Sequence, residues 1–251
     1  MSAARPLRPV LVARPPGRGD AAVAQLRALG LAAEHQALIR LVGADPALLA
    51  EPLAALAAGD YTHLVVTSRT AVDALGRPAV PATTQVVAVG EGTAEALGAA
   101  GVRVDLIAAG SGEALVDLLP PAAPGARVLF PASAAASRTV PDGLRAKGYR
   151  VQEVTAYRPE PVAVPPAVAE GLAAGAYGAI VLTSPMIARR AAELGVHPST
   201  AVVTIGAPTS AAARAAGLVV GAQAAEPTDA ALARAVQQVL TAPALPDHHR
   251  S

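Results

Sequence analysis

The chain has 251 residues, with 20 basic and 19 acidic side chains and a formal net charge of +1, so it offers no broad electrostatic footprint to nucleic acid or to an anionic membrane. It has no cysteine, which excludes a disulfide framework, a thiolate nucleophile and a Cys-rich metal site, and which fits a reducing cytoplasm. Only 2% is aromatic, so small aliphatics must fill the interior, and the length suffices for one large domain or for two small ones with a core each.

Arg5 and Arg8 precede an apolar run, 9–13, that is too short for a signal-peptide core and is broken by Arg14. In chain order the pattern predicts a buried strand over 9–14, a helix over 19–30 and one long strand over 31–42, followed by a boundary at 43–46. Next come a helix (46–58), a strand (61–68), a helix (69–75) and a Pro-rich connection through Pro78 and Pro81. A strand over 84–90, a helix to Gly101, a strand over 102–109, a helix to Leu119, a strand over 126–131 and a helix to Gly148 lead into a second long strand, 149–161. A helix (165–174), a strand (177–184), a helix to Gly195, a strand (200–206), a helix to Gly217, a strand (218–226) and a helix (228–240) follow. The uncharged run 171–188 approaches membrane-spanning length but contains glycines, Thr183, Ser184 and Pro185, and parses as buried strand plus turn. Strands alternating with helices at this spacing imply right-handed crossovers and parallel sheets covered on both faces, an α/β fold.

Internal repetition is the strongest signal. YTHLVVTS (61–68) and YGAIVLTS (177–184) align at one offset of about 116, pairing Tyr61 with Tyr177, Thr67 with Thr183 and Ser68 with Ser184. Without a gap, the same offset pairs Gly90 with Gly206, Thr93 with Thr209 and Gly101 with Gly217. At an offset of roughly 118, Val12, Leu26 and Gly30 match Phe130, Leu144 and Gly148. The pattern reads as a duplication in which a strand-helix-strand piece and a longer α/β piece each occur twice.

Folding the two copies consecutively would put a boundary near Gly125. Yet 31–42 and 149–161 are equivalent in the repeat, both are long, and both adjoin Pro-containing connections, which suits a two-stranded bridge. The expected organisation is a discontinuous domain of 1–37 plus 161–251, an inserted domain of 44–152, and linker strands at about 34–43 and 149–161. The tail from about 241, with His248 and His249, is expected to be disordered.

Ser68 and Ser184 close strands at their C-terminal ends, where parallel sheets place ligands, and each precedes a helix whose free N–H groups favour anions. Thr93 and Thr209 take the equivalent place after Gly90 and Gly206. Each of these four hydroxyls is also read as the N-cap of its helix, and the two roles are compatible.

The segments VLVARPP, VVTSRTAV (65–72), VAVGEGTAEAL (87–97), LRAKGYRVQEVTAYRPEP (144–161), VLTSP (181–185), VTIGAPTSAAARAAGL (203–218) and EPTDAAL (226–232) together resemble the uroporphyrinogen-III synthase family over nearly the whole chain. No segment is specific by itself; their order carries the likeness. The resemblance implies two flavodoxin-like parallel α/β domains joined by a two-stranded β-ladder, with domain one built from both chain ends. It implies an enzyme that takes the linear tetrapyrrole hydroxymethylbilane, loses the terminal hydroxyl as water, and closes the macrocycle through a spiro intermediate with ring D inverted. No metal or other cofactor is expected, and the partners are the substrate and, transiently, the upstream deaminase. A cytoplasmic monomer bound to neither nucleic acid nor membrane is expected.

Since closure without inversion happens spontaneously, such an enzyme works by holding its substrate in the conformer that favours spiro attack, in a cleft between the lobes. The resemblance implies Tyr157 as the group assisting loss of the hydroxyl; the competing role is packing between strand and domain. Gly90, Thr93, Ser68, Ser184, Gly206 and Thr209 are candidate donors to substrate carboxylates. Arg14 and Arg138 could grip them through the guanidinium fork, with a surface ion pair as the rival role. Ser133 belongs to the loop after the strand ending FP, where many relatives carry arginine and glycine; here Ala132 and Ser133 stand instead. That departure motivates a second reading, a non-catalytic bilobed module that binds a tetrapyrrole or other anion.

Other motifs carry less. Glu95 stands where a third glycine would complete GxGxxG, His35, His63 and His197 lack metal-ligand spacing, and the sole lysine, Lys147, falls in the last turn of a helix where it complements the dipole.

Overall fold

The structure, a computed structural model, describes residues 8–241. The chain runs through β1 (Val10–Ala13), α1 (Asp20–Ala28), β2 (Ala33–His35), β3 (Ile39–Gly43), α2 (Pro46–Ala57), β4 (His63–Val66) and α3 (Arg69–Leu75). It continues with β5 (Gln85–Val89), α4 (Glu91–Ala99), β6 (Leu106–Ala108), α5 (Gly112–Leu118), β7 (Arg127–Ser133), α6 (Thr139–Ala146) and β8 (Arg150–Pro161). The last third holds α7 (Pro166–Ala173), β9 (Ala179–Leu182), α8 (Pro185–Leu194), β10 (Ala201–Thr204), α9 (Ala207–Ala215), β11 (Val220–Gln223) and α10 (Asp229–Thr241). The tail expected beyond Thr241, with His248 and His249, lies outside the described residues.

Contacts divide the chain into two units, one made of the described residues up to Arg40 together with those from Glu160 on, the other of Leu41–Pro159. The first unit holds a five-stranded sheet in the order β11-β10-β9-β1-β2, parallel throughout. Numbered within the unit this is the 2-1-3-4-5 order of flavodoxin-like folds. The second unit holds β6-β5-β4-β7-β8 in the corresponding order, with β3 added at the β8 edge. Ala44 N–H bonds to Ala156 O and Val162 N–H to Leu38 O, so residue numbers rise on β3 as they fall on β8, and this pair runs antiparallel.

The strand expected over 31–42 is two short strands instead. β2 pairs with β1 in one sheet, whereas β3 pairs with β8 in the other. A straight strand cannot serve both, and the chain breaks its ladder at 36–38: Gln36 N–H still reaches Val12 O, and the Gln36 side chain then donates to Ala37 O at 2.8 Å. β7 runs further than expected, through Pro131 to Ser133, with a register shift between Ala132 and Ser133. Proline lacks the ladder N–H, so an irregularity just beyond it is the form such a strand tolerates.

Burial explains why the strands read as continuous apolar runs. Leu64 and Val66 of β4 enter one core with Leu56, Leu97 and Leu129, while Val65 enters a second with Phe130, Leu144 and Leu119, and all three β4 residues have 0% exposure. Each such side chain contributes about 1.5–3 kcal/mol by removal from water. In the other unit Val10, Val12, Val181 and Val203 pack with Leu26, Leu232 and Val236. Lys147, the C-cap of α6, donates to Val116 O at 2.5 Å and Leu119 O at 2.6 Å, closing carbonyls that the end of α5 leaves open.

Bonds recur between the units at the offsets seen in the sequence. Thr84 Oγ1 donates to Tyr61 O at 2.8 Å, and Thr200 Oγ1 to Tyr177 O at 3.1 Å. Tyr61 donates to Gln152 at 2.7 Å across its sheet, and Tyr177 donates to Glu34 at 2.5 Å across the other. Burial is the first cause, and the bond to Glu34 the second, that pushes the Tyr177 hydroxyl well above the usual phenol range.

Candidate functional site

In a 2-1-3-4-5 parallel sheet the topological switch point opens at the carboxyl ends of the first and third strands, where ligands bind. In the Leu41–Pro159 unit the strands that correspond to them by the repeat are β7 and β4, and the residues at their ends are Ser133 and Thr67–Ser68. Tyr157 of β8 stands opposite Ser133, and Ala134 N–H returns to Tyr157 O at 2.8 Å. One strand over, β5 ends at Val89 and Gly90 opens α4.

These ends meet through side chains. Ser68 is the N-cap of α3, its Oγ accepting from Ala71 N–H at 3.1 Å, and its hydroxyl donates to the Tyr157 hydroxyl at 3.1 Å. Both side chains are half-buried, and among the described residues the phenol has no second partner. Ser133 Oγ accepts from Ala135 N–H at 3.2 Å, which shapes the loop after β7.

Gly90 is the N-cap of α4 with φ 74°, a left-handed backbone that glycine adopts without strain, and no side chain caps the helix. The N–H groups at this end therefore lack a side-chain acceptor, over a helix of nine residues. Arg69, the first residue of α3, brings its guanidinium to this end. A β-carbon built on Gly92 would lie 3.3 Å from its Cζ, Nε and Nη2. Among the described residues Arg69 has no hydrogen-bond or ion-pair partner. Sequence reasoning passed over Arg69; the signal available was its place directly after Ser68, facing a GxG that follows a strand.

Thr93 and Thr209 are not caps, contrary to one of the two expected roles. Each is the third residue of its helix, and the cap positions are Gly90 and Gly206. The two residues are 6% and 2% exposed. Gly206 is an extended residue, and α9 like α4 has no side-chain cap. Ser184 caps α8 by accepting from Ile187 N–H at 3.3 Å.

The two arginines singled out from sequence both hold carboxylates of their own unit. Arg14 pairs through Nη2 with Asp229, while its Nε is buried without a partner. Arg138 is exposed and binds Asp142 at 2.7 Å and Glu153 at 2.8 Å; the bonds it donates to Asp142 and then to Glu153 hold its pKa above the ordinary guanidinium value. Both guanidiniums are thus already engaged with carboxylates of the protein. Among the described residues no group of three or more His, Asp or Glu is placed to hold a metal ion, and no helix is long and apolar enough to cross a membrane.

The family model described as Uroporphyrinogen-III synthase HemD matches residues 20–234. A mutant uroporphyrinogen III synthase from the extreme thermophile Thermus thermophilus, solved as its selenomethionine derivative, superposes with a TM-score of 0.66 at 18% identity, over 92% of this chain and 98% of that one. Uroporphyrinogen-III synthetase from Helicobacter pylori gives a TM-score of 0.60 at 16% identity, over 92% of this chain and 99% of that one. At such identities the superpositions bear on the fold. A search of curated proteins gave no match.

Proposed function

Since the chain belongs to the uroporphyrinogen-III synthase family, the enzymes that cyclise hydroxymethylbilane to uroporphyrinogen III, we propose that the strand-end rim of its Leu41–Pro159 unit carries the chemistry, with Tyr157 as the acid. The observation that supports this most is the state of the Tyr157 hydroxyl. It accepts from Ser68 and keeps its own hydrogen uncommitted, at the edge where a parallel sheet receives ligands.

In this reading the phenol gives its proton to the terminal hydroxymethyl oxygen. The carbon–oxygen bond breaks, water leaves, and the electron pair of the pyrrole nitrogen makes the azafulvene. Attack by the substituted carbon of ring D gives the spiro intermediate; the original bond from that carbon to the ring C methylene then breaks, and the methylene bonds instead to the free α-position of the inverted ring. The proton that α-carbon loses on regaining aromaticity restores the phenol, so the enzyme returns to its starting state.

The remaining task is to hold a flexible, carboxylate-rich chain in the one conformer that leads to inversion. Arg69 and the uncapped start of α4 suit a substrate carboxylate. A guanidinium beside a positive helix end is a like-charge arrangement, and an anion set between them relieves it. The Ser133 hydroxyl, whose oxygen accepts from Ala135 N–H, offers a further donor beside Tyr157.

The finer assignment is a cyclising hydro-lyase that works as a cytoplasmic monomer and meets the deaminase supplying its substrate only in passing. The test is to add the purified chain to that deaminase and resolve the uroporphyrinogen isomers. Type III replaces type I if the assignment holds, and an unchanged isomer ratio with folded protein overturns it.

A further inference from the structure

Ser68 joins two bonds. Its oxygen accepts the N–H of Ala71 at 3.1 Å, and its hydrogen goes to the Tyr157 oxygen at 3.1 Å. Resting on the reading of Tyr157 as the acid, we propose that Ser68 is a positioning residue acting through Tyr157 rather than a ligand of the substrate. It holds the phenol so that its proton points away from the α3 junction, and it supplies the hydrogen bond that steadies negative charge on the oxygen once the proton has left.

The polarity of the pair favours this role at the moment that counts. In the resting enzyme Ser68 is already the donor and the phenol the acceptor. After proton transfer that direction is the only one open, because a phenolate only accepts. Ser68 is then the donor to an ionised oxygen, a bond that becomes shorter and stronger as charge develops. Such an interaction is worth more in the transition state than in the ground state, which is the condition for raising kcat rather than lowering KM. The Ala71 N–H on the serine lone pair keeps its hydroxyl from turning away.

The other unit shows that the bond is not a requirement of the fold. Ser184, the counterpart of Ser68, makes the same helix cap, with Ile187 N–H as donor. Among the described residues the Ser184 hydroxyl has no side-chain partner, and Ile39, the position at the offset of about 118 from Tyr157, lies on β3 in the sheet of β8. A strand-serine-helix junction thus forms in both units, and a phenol stands against it in one. What the Leu41–Pro159 unit adds to the cap is a partner with an ionisable proton.

The experiment is a double-mutant cycle, with kcat, KM and the type III fraction measured on hydroxymethylbilane for Ser68→Ala, Tyr157→Phe and the double variant, and for Ser68→Thr as the conservative rescue. We expect Ser68→Ala to lower kcat by about tenfold with KM nearly unchanged, as for loss of one charge-assisted donor. Ser68→Thr retains the rate, and the double variant is no slower than Tyr157→Phe. A loss from Ser68→Ala that is the same in both backgrounds overturns the inference, since the serine would then act on the substrate or on the fold. So does a lowered melting temperature with kcat intact, which would leave Ser68 only a cap. A Tyr157→Phe enzyme at full rate overturns the acid assignment and this inference with it, whereas a slow Tyr157→Phe with an additive Ser68→Ala overturns the inference alone.

Discussion

The guanidinium of Arg69 lies against Gly92, so near that a β-carbon there would stand 3.3 Å from three of its atoms. Position 92 is the second residue of α4, so the absence of a side chain lets a cation rest at the positive end of a helix. That juxtaposition makes sense with an anion present. Arg69→Gln should raise KM for hydroxymethylbilane by about tenfold, the scale of one charge-assisted bond, and should lower the type III fraction as the substrate escapes to spontaneous closure. Arg138→Gln is the comparison, since Arg138 is committed to Glu153 and Asp142. Steady-state kinetics on the two variants, with isomer analysis, separates them. Equal effects would remove Arg69 from the substrate contacts.

Tyr157→Phe removes one hydroxyl from a half-buried ring whose oxygen has a single partner among the described residues. Folding should change little. Loss of a general acid should cost roughly ten- to a hundredfold in kcat, at the low end of that effect because positioning carries most of the acceleration. Chemical denaturation and turnover measured on one preparation check both halves. A full rate would leave the tyrosine a packing residue.

Much of this could be read from residue order. The apolar runs of the central strands and the constant offset between Ser68 and Ser184, or Gly90 and Gly206, place the strand ends before any coordinates. The break at 36–38 was not legible, because 31–42 carries no proline or glycine until Gly43. The chain bends there only to serve two sheets, a tertiary demand on a locally suitable strand. The bond between Ser68 and Tyr157 was hidden for a similar reason. It spans 89 positions and depends on β7 and β8 folding beside β4, so each residue taken alone looked like a cap or a packing group. Arg69 faced the same obstacle, its meaning residing in a neighbour from another helix.

Two helical glycines should respond oppositely to alanine. At Gly98, in α4, a β-carbon meets nothing within 4 Å, so Gly98→Ala should stabilise by about 0.5–1 kcal/mol through the lost freedom of the unfolded chain. At Gly143, in α6, it would come 2.7 and 2.8 Å from the two γ-carbons of Val116 on α5. There the steric cost, about 1–3 kcal/mol for overpacking, outweighs the gain in propensity, and Gly143→Ala should destabilise. Urea midpoints measure both. Adding Val116→Ala to Gly143→Ala should recover part of the loss, and no recovery would place its cause elsewhere.

His63 gives the stability of the Leu41–Pro159 unit a dependence on acid. Its ring sits edge-on to Tyr149, with centroids 5.1 Å apart, and its Nδ1 lies 2.7 Å from Thr62 Oγ1. Burial lowers its pKa from the usual histidine value, and a hydrogen bond that the ring donates to the Gln85 side chain offsets only part of that. With the folded pKa below the unfolded one, the unfolded chain takes up a proton first as pH falls. Stability from this group is therefore complete above about pH 6.5 and is lost as pH falls from there toward the folded pKa. His63→Gln cannot titrate. Its urea midpoint should fall less than that of the unaltered protein between neutral and mildly acidic pH, even if it starts lower for want of the ring. Parallel pH profiles for the two proteins would show that the buried imidazole is not the group responsible.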